Sequence, residues 1–263
     1  MALTRQEPLT AACRDGDVDA VQAAIDAGLN VNQRGSGGAT PLAVASLNGQ
    51  EAVVDLLLRA GAATNDESVT ELTALHWASG SGNLAVVAML LEAGADLGAA
   101  DEHGTTALHF ACYSGHDAVV AALVDAGASV HALASGGDTP LHCSCTVGSL
   151  DAVACLLAAG AAPDAAGKGG NTPLHLACAG GHEQAVVALV DAGANHEATN
   201  AAGQTPGDVA TSESIRMVLK DSAESATGKG IVRKGGVGGW GWFVGLSVDL
   251  LNGVRKNGGE RLR

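Results

Sequence analysis

Three segments of the chain pair a histidine with a cysteine three residues on: His109 with Cys112, His142 with Cys145 and His175 with Cys178. On a helix that spacing puts both side chains on one face, and imidazole beside thiolate is zinc-binding chemistry or, with an activated thiol, nucleophilic chemistry. The geometry of repeated helices argues against both. Each pair supplies two ligands, stacked helices lie about 8–10 Å apart, and zinc holds its ligands at about 2.0–2.3 Å. The cysteines also share a column with Cys13, Ser46 and Ser79, a position that asks only for something small and buried. No Ser/His/Asp set and no phosphate-cradling glycine loop in a strand-to-helix context accompanies them. The expectation is a chain with no catalytic residues, no metal and no cofactor.

The elements that carry these pairs recur every 33 residues without a gap. Thr40-Pro41-Leu42, Thr73-Ala74-Leu75, Thr106-Ala107-Leu108, Thr139-Pro140-Leu141, Thr172-Pro173-Leu174 and Thr205-Pro206 form one column, and Glu7-Pro8-Leu9 stands one period earlier. Glycines at 16, 49, 82, 115, 148 and 181 form a second, and glycines at 28, 61, 94, 127, 160 and 193 a third. Thr followed by Pro starts a helix, because the hydroxyl can cap an orphan N–H and Pro at the first helical position gives nothing up. The glycine nine residues on ends it. A second helix follows, with Val54, Val87, Val120, Val153 and Val186 three residues before Leu57, Leu90, Leu123, Leu156 and Leu189, one apolar stripe at helical spacing. About eleven residues rich in Gly, Asp, Asn and Ser then lead to the next Thr, a composition for a turn or hairpin.

This unit resembles the ankyrin family, whose signature is T-P-L-H-x-A in a 33-residue helix-turn-helix-hairpin repeat. Thr172-Pro173-Leu174-His175-Leu176-Ala177 matches it in full, and Thr139-Pro140-Leu141-His142 with the Thr-Ala-Leu-His runs at Thr73 and Thr106 come close. The resemblance implies an all-α solenoid with short β-hairpin loops, about seven units over residues 1–220, five complete and the two terminal ones degenerate caps. The first cap has Glu7 for Thr and polar Arg14, Asp15 and Asp17; in the last, the apolar stripe at Ile215, Val218 and Leu219 arrives three residues early, which reads as a shortened inter-helix turn. The resemblance also implies that His76, His109, His142 and His175 hydrogen-bond locally and to the adjacent unit. Trp77 and Phe110 follow that histidine in an apolar column and are expected to pack in the core.

In the family, partners contact hairpin tips and the exposed end of the first helix. Carried over, those positions are Leu47, Asn48, Val69, Leu72, Glu102, His103, Tyr113, Asp138, Lys168 and Asn171. Val69, Leu72 and Tyr113 are apolar without a frame reason and place the binding surface in units three and four, on the N-terminal half of the concave face. Glu71 stands where the other hairpins have Gly at 38, 104, 137, 170 and 203, so its hairpin is expected to be shaped differently. The resemblance implies a non-catalytic scaffold or adaptor for a protein partner.

Residues 1–220 hold 7 Lys or Arg against 24 Asp or Glu, and residues 221–263 hold 7 against 4. So acidic a body repels phosphate backbones, which excludes nucleic acid and favours a basic or neutral protein. Aromatics are only 2% of the chain, so Ala, Val and Leu must fill the core. With no apolar run at Met1-Ala2-Leu3-Thr4-Arg5 and no 18-residue apolar stretch, neither an export signal nor a transmembrane span is expected, and the six cysteines read as reduced thiols in the cytosol or nucleus of a monomeric protein. The tail, 221–263, is Gly-rich and basic. Five glycines between 235 and 241 speak for disorder; Trp240, Trp242 and Phe243 beside Lys229, Arg233, Lys234, Arg255 and Lys256 give the alternative, weak anchoring to a membrane surface.

Overall fold

A computed structural model of the chain describes residues 7–35, 37–68 and 70–226. Within them the helices come in seven consecutive pairs: α1 (Glu7–Asp15) and α2 (Val18–Asp26), α3 (Pro41–Leu47) and α4 (Glu51–Arg59), α5 (Ala74–Ser81) and α6 (Leu84–Glu92), α7 (Ala107–Ser114) and α8 (Asp117–Asp125), α9 (Pro140–Val147) and α10 (Leu150–Ala158), α11 (Pro173–Gly180) and α12 (Glu183–Asp191), α13 (Pro206–Val209) and α14 (Glu213–Ala226). Odd-numbered helices pack on one another in one row and α2 to α12 in a second, each even helix against its own odd partner. Among the described residues there is no strand, only an isolated bridge between Ala100 and Thr106.

The periodic columns become layers of core. Leu9, Leu42, Leu75, Leu108, Leu141 and Leu174 are at most 1% exposed, and Val54, Val87, Val120, Val153 and Val186 are completely buried with their partner leucines. Each such leucine or valine withdrawn from water stabilises by about 1.5–3 kcal/mol. Each layer is small, so stability is built by repetition between neighbouring units rather than in one deep centre. The column holding Val44, Trp77, Phe110, Cys143 and Leu176 is different: every member is only partly buried. Val44, Cys143 and Leu176 pack against the core from this position and Phe110 meets the buried His76 ring edge-on at 5.6 Å, so Trp77 and Phe110 sit at the margin of the core, half-buried where the sequence led one to expect core packing. Trp77 even keeps its indole N–H buried with no acceptor among the described residues.

The last unit differs from expectation in where it is short. α13 is a single turn ending at Val209, and Ala210 is extended (φ −63°, ψ 129°) and buried. The missing residues thus come from the first helix, and the link to α14 is not shortened. Gly207 at the second position weakens that helix, and Thr211 secures the link instead, its N–H and hydroxyl donating to the Cys178 carbonyl at 3.3 and 3.4 Å.

The hairpins are alike, including the one carrying Glu71. In each, the N–H five residues before the Thr column (Ser68, Asp101 or Asn200, for example) donates to the carbonyl just before the Thr, at 2.9–3.1 Å. The tip residue donates back at 2.8–3.0 Å, from Glu71 as from Gly38, Gly104, Gly137, Gly170 and Gly203. Glu71 makes that bond by adopting φ 60°, the same left-handed conformation as the glycines. The expected difference in hairpin shape is therefore absent, and its place is taken by backbone strain. Left-handed conformation costs a side-chain-bearing residue about 1–2 kcal/mol, and Gly repays about 0.4–1 of that in unfolded-state entropy. Glu71→Gly should stabilise the protein by about 0.5–1 kcal/mol, read as a raised urea midpoint at unchanged m-value; a lower midpoint would show that Glu71 is not strained.

Candidate protein-binding face

The four motif histidines are structural connectors. In the units starting at Thr73, Thr106, Thr139 and Thr172, the Thr N–H donates to Nδ1 of His76, His109, His142 or His175 at 3.1–3.2 Å, and the Thr hydroxyl lies 2.8–3.0 Å from the same nitrogen. With Nδ1 accepting, the ring proton sits on Nε2. That nitrogen donates across to the next hairpin, at the carbonyls of Thr105, Asp138, Asn171 and Gln204 over 2.9–3.2 Å. One imidazole therefore caps its own helix and bonds the adjacent unit, the arrangement expected from the resemblance. Where Ala43 replaces the histidine, the Thr40 hydroxyl caps alone by accepting from the Ala43 N–H at 3.1 Å; in the last unit the Asp208 carboxylate takes the Thr205 N–H at 2.8 Å.

The His-x-x-Cys pairs consequently have no free imidazole nitrogen, and their cysteines are buried away from any base. Burial pushes the Cys112 and Cys178 thiols up to about 12 and that of Cys145 up as well, so they remain protonated. All six cysteines are free thiols.

Burial also holds the imidazoles of His76, His109 and His142 below the ordinary histidine value, with their carbonyl acceptors opposing the shift only in part. The sign follows from proton binding. Unfolded histidine titrates near about 6.5, the folded rings lower, so in acid the unfolded state binds more protons and stability falls. Stability should be level above pH of about 6.5 and decline as pH falls through the folded values, with Nδ1 protonation also removing the acceptor of the Thr N–H. Thermal midpoints measured from pH 8 to pH 5 check this; a midpoint that rises on acidification contradicts it.

A second set of reach-back bonds joins successive units. The residue after each inter-helix glycine bonds to the end of the preceding unit's first helix: Gln50 to the Arg14 carbonyl at 3.0 Å, Asn83 to that of Ser46 at 2.9 Å, His116 to Gly80 at 3.1 Å and His182 to Thr146 at 3.1 Å. Ser149 does the same job differently, through its hydroxyl to the Asp117 carboxylate. Below the second helices, Asn32, Asn65 and Asp164 accept from backbone N–H groups of the following unit at 2.7–2.8 Å. The signal available for these was a polar residue at a constant offset, but its identity varies from unit to unit.

The expected contact positions divide into two kinds. Leu47 (42% exposed) and Tyr113 (67% exposed) project from the ends of α3 and α7, and Glu102, His103 and Lys168 are exposed on hairpins. Asn48 is exposed too, its amide donating to the Val44 carbonyl at 2.8 Å. Leu72 is partly buried, and Val69 lies outside the described residues. Asp138 and Asn171 are partly buried and work in the frame: the Asp138 carboxylate accepts the Lys168 backbone N–H at 2.8 Å and the Asn171 side-chain oxygen accepts from the Asn200 side-chain amide at 2.9 Å. The His103 carbonyl likewise accepts from Ser135 at 2.7 Å. Successive tips are thus tied to one another, and side chains on them stand on a braced edge. The Glu102–His103 pair, 3.8 Å apart and mostly exposed, contributes little to it.

Repeated helix pairs joined by histidine-braced hairpins make up a repeat solenoid in which each unit packs on its neighbours. The chain matches the family model for ankyrin repeats three times, over residues 2–68, 60–134 and 128–200. It belongs to the ankyrin-repeat family. Among solved structures it is similar to the human ASB11 ankyrin repeat domain, at 32% identity and a TM-score of 0.75 over 82% of this chain and 97% of that one. It is also similar to the ankyrin repeat domain of Bcl-3, a member of the IkappaB family, at 30% identity and a TM-score of 0.70 over 81% of this chain and 97% of that one. No curated protein sequence matches it.

Proposed function

We propose that this protein is a non-catalytic scaffold that binds a protein partner along the concave edge formed by its hairpin tips and first helices, acting as a monomer in the cytosol or nucleus. The observation that carries the reading is the division of labour in the odd-numbered helices. Their inward residues are locked in place by the histidine network, while Leu47, Tyr113 and the hairpin side chains vary from unit to unit on a braced surface. Variable side chains on a rigid periodic frame are what a recognition surface needs, because little ordering entropy is lost on binding. Family membership supports the same class of function. The partner remains a basic or neutral protein, since the acidic body disfavours nucleic acid.

The test uses the full chain as bait in a cell lysate. A Leu47→Glu/Tyr113→Glu variant should lose a partner that wild type retains, whereas Leu84→Glu, an exposed substitution on the second-helix row, should keep it. The reverse pattern would move the binding surface to the other face.

The second reading, a membrane-associated adaptor, rests on the Trp240, Trp242 and Phe243 cluster with its basic neighbours, all outside the described residues. Among the described residues no helix is long and apolar enough to cross a membrane. Flotation with anionic liposomes, with and without residues 227–263, decides it.

A further inference from the structure

Residues 1–226 contain three aromatic side chains, Trp77, Phe110 and Tyr113, and all three lie on the neighbouring first helices α5 and α7. Trp77 and Phe110 occupy the half-buried column, and Tyr113 projects one turn beyond Phe110 on the same helix face. At the position equivalent to Tyr113, α5 has Gly80. A Cβ added there would meet the Phe110 ring at 3.4 Å, so the glycine leaves that flank of the ring without a side chain from its own position to cover it. One unit earlier the same two columns hold Leu47 and Trp77. A glycine at an ordinary helical backbone angle costs the helix about 0.5–1 kcal/mol relative to alanine, and the backbone here does not require it.

The surroundings are of one sign. Residues 60–167 contain 12 Asp or Glu and no Lys or Arg. Within that stretch Glu67, Glu71 and Glu102 are exposed on the hairpins that open onto α5 and α7. The nearest arginine before it, Arg59, is engaged by Asp55 at 2.8 Å. An aromatic-walled patch at the C-terminal ends of α5 and α7, with exposed carboxylates on the hairpins at the N-terminal ends of the same helices, complements an extended cationic segment that carries a bulky apolar side chain.

Building on the proposed concave-face reading, we propose that the patch over Gly80, walled by Leu47, Trp77, Phe110 and Tyr113, receives a large apolar side chain of a Lys/Arg-rich partner segment whose charges meet Glu67, Glu71 and Glu102. Aromatic and leucine side chains cover the flank of the Phe110 ring left bare at Gly80, and the carboxylates speed encounter and set specificity in a salt-dependent way.

The experiment is selection of a random 12-residue phage-displayed peptide library on the full chain, followed by titration of the most enriched peptide, fluorescein-labelled. The expected peptides combine Lys or Arg with Trp, Phe or Leu. Tyr113→Ala, a mostly exposed position that the fold does not need, weakens binding about tenfold or more. Gly80→Leu weakens it similarly with an unchanged circular-dichroism spectrum, and raising NaCl from about 0.05 to about 0.3 M weakens it by about tenfold. Peptides without basic enrichment, no enriched peptide, or affinity indifferent to both Tyr113→Ala and Gly80→Leu would each overturn the proposal. Two further variants separate its failure from that of the broader reading. If binding is instead abolished by Lys168→Glu, the concave face binds but elsewhere along its length; if only Leu84→Glu abolishes it, both readings fall.

Discussion

His142→Ala should cost about 3–5 kcal/mol and break the cooperativity of unfolding. The imidazole accepts from the Thr139 N–H at 3.1 Å and donates to the Asn171 carbonyl at 3.1 Å, so its loss strands polar groups on both sides of the junction between units five and six. Each buried group left without a partner costs about 1–3 kcal/mol, and the vacated ring volume adds to that. His142 is itself 1% exposed and Thr139 6%, so water cannot readily substitute. In a solenoid, stability is a sum of unit and interface terms. A weakened interface should therefore let the units after it unfold first, giving two transitions in urea where wild type gives one. His103→Ala, at an exposed histidine, should shift stability by no more than about 0.5 kcal/mol. A single transition for His142→Ala, with a loss as small as that of His103→Ala, would show that the histidine bridge does not couple the units.

Gly148→Ala should be far more damaging than Gly160→Ala, although both glycines have left-handed backbones, at φ 81° and 89°. The shared component is conformational strain of about 1–2 kcal/mol. The surroundings differ. Among the described residues nothing lies within 4 Å of a Cβ at Gly160, whereas at Gly148 it would collide with the His182 ring and force that ring away. The ring donates to the Thr146 carbonyl at 3.1 Å, so its displacement removes a tie between units five and six as well. We expect about 1 kcal/mol for Gly160→Ala and about 2–3 kcal/mol for Gly148→Ala, measured by urea denaturation. Equal losses would mean that backbone conformation alone explains the inter-helix glycine column.

The 33-residue period, the helix starts at the Thr column, the buried leucine and valine stripes and the ankyrin family were all legible in the sequence, because each rests on a local preference or a helical spacing that every unit repeats. Repetition averages away the ambiguity of any single segment. The paired His and Cys at i,i+3 do lie on one helix each, but what the histidines do is set by carbonyl partners 29 residues away.

Features that depend on the neighbouring unit were decided by packing. The left-handed backbone of Glu71 could not be read from its identity, since glutamate disfavours that conformation; the hairpin bonds on either side impose it. Trp77 and Phe110 look like core residues in an apolar column, yet the column falls at the margin where the odd-helix row meets solvent. The shortening of the last unit was visible as a three-residue offset, but only the extended Ala210 and the bonds of Thr211 to Cys178 show that it falls on the first helix and not on the turn. Asp138 and Asn171, at positions where the family contacts partners, also brace the hairpins. The sequence by itself determined the unit and its repetition, which are properties of local propensity and period. The tertiary structure decided which repeated positions are frame and which are surface, because that depends on what the adjacent unit places against each side chain.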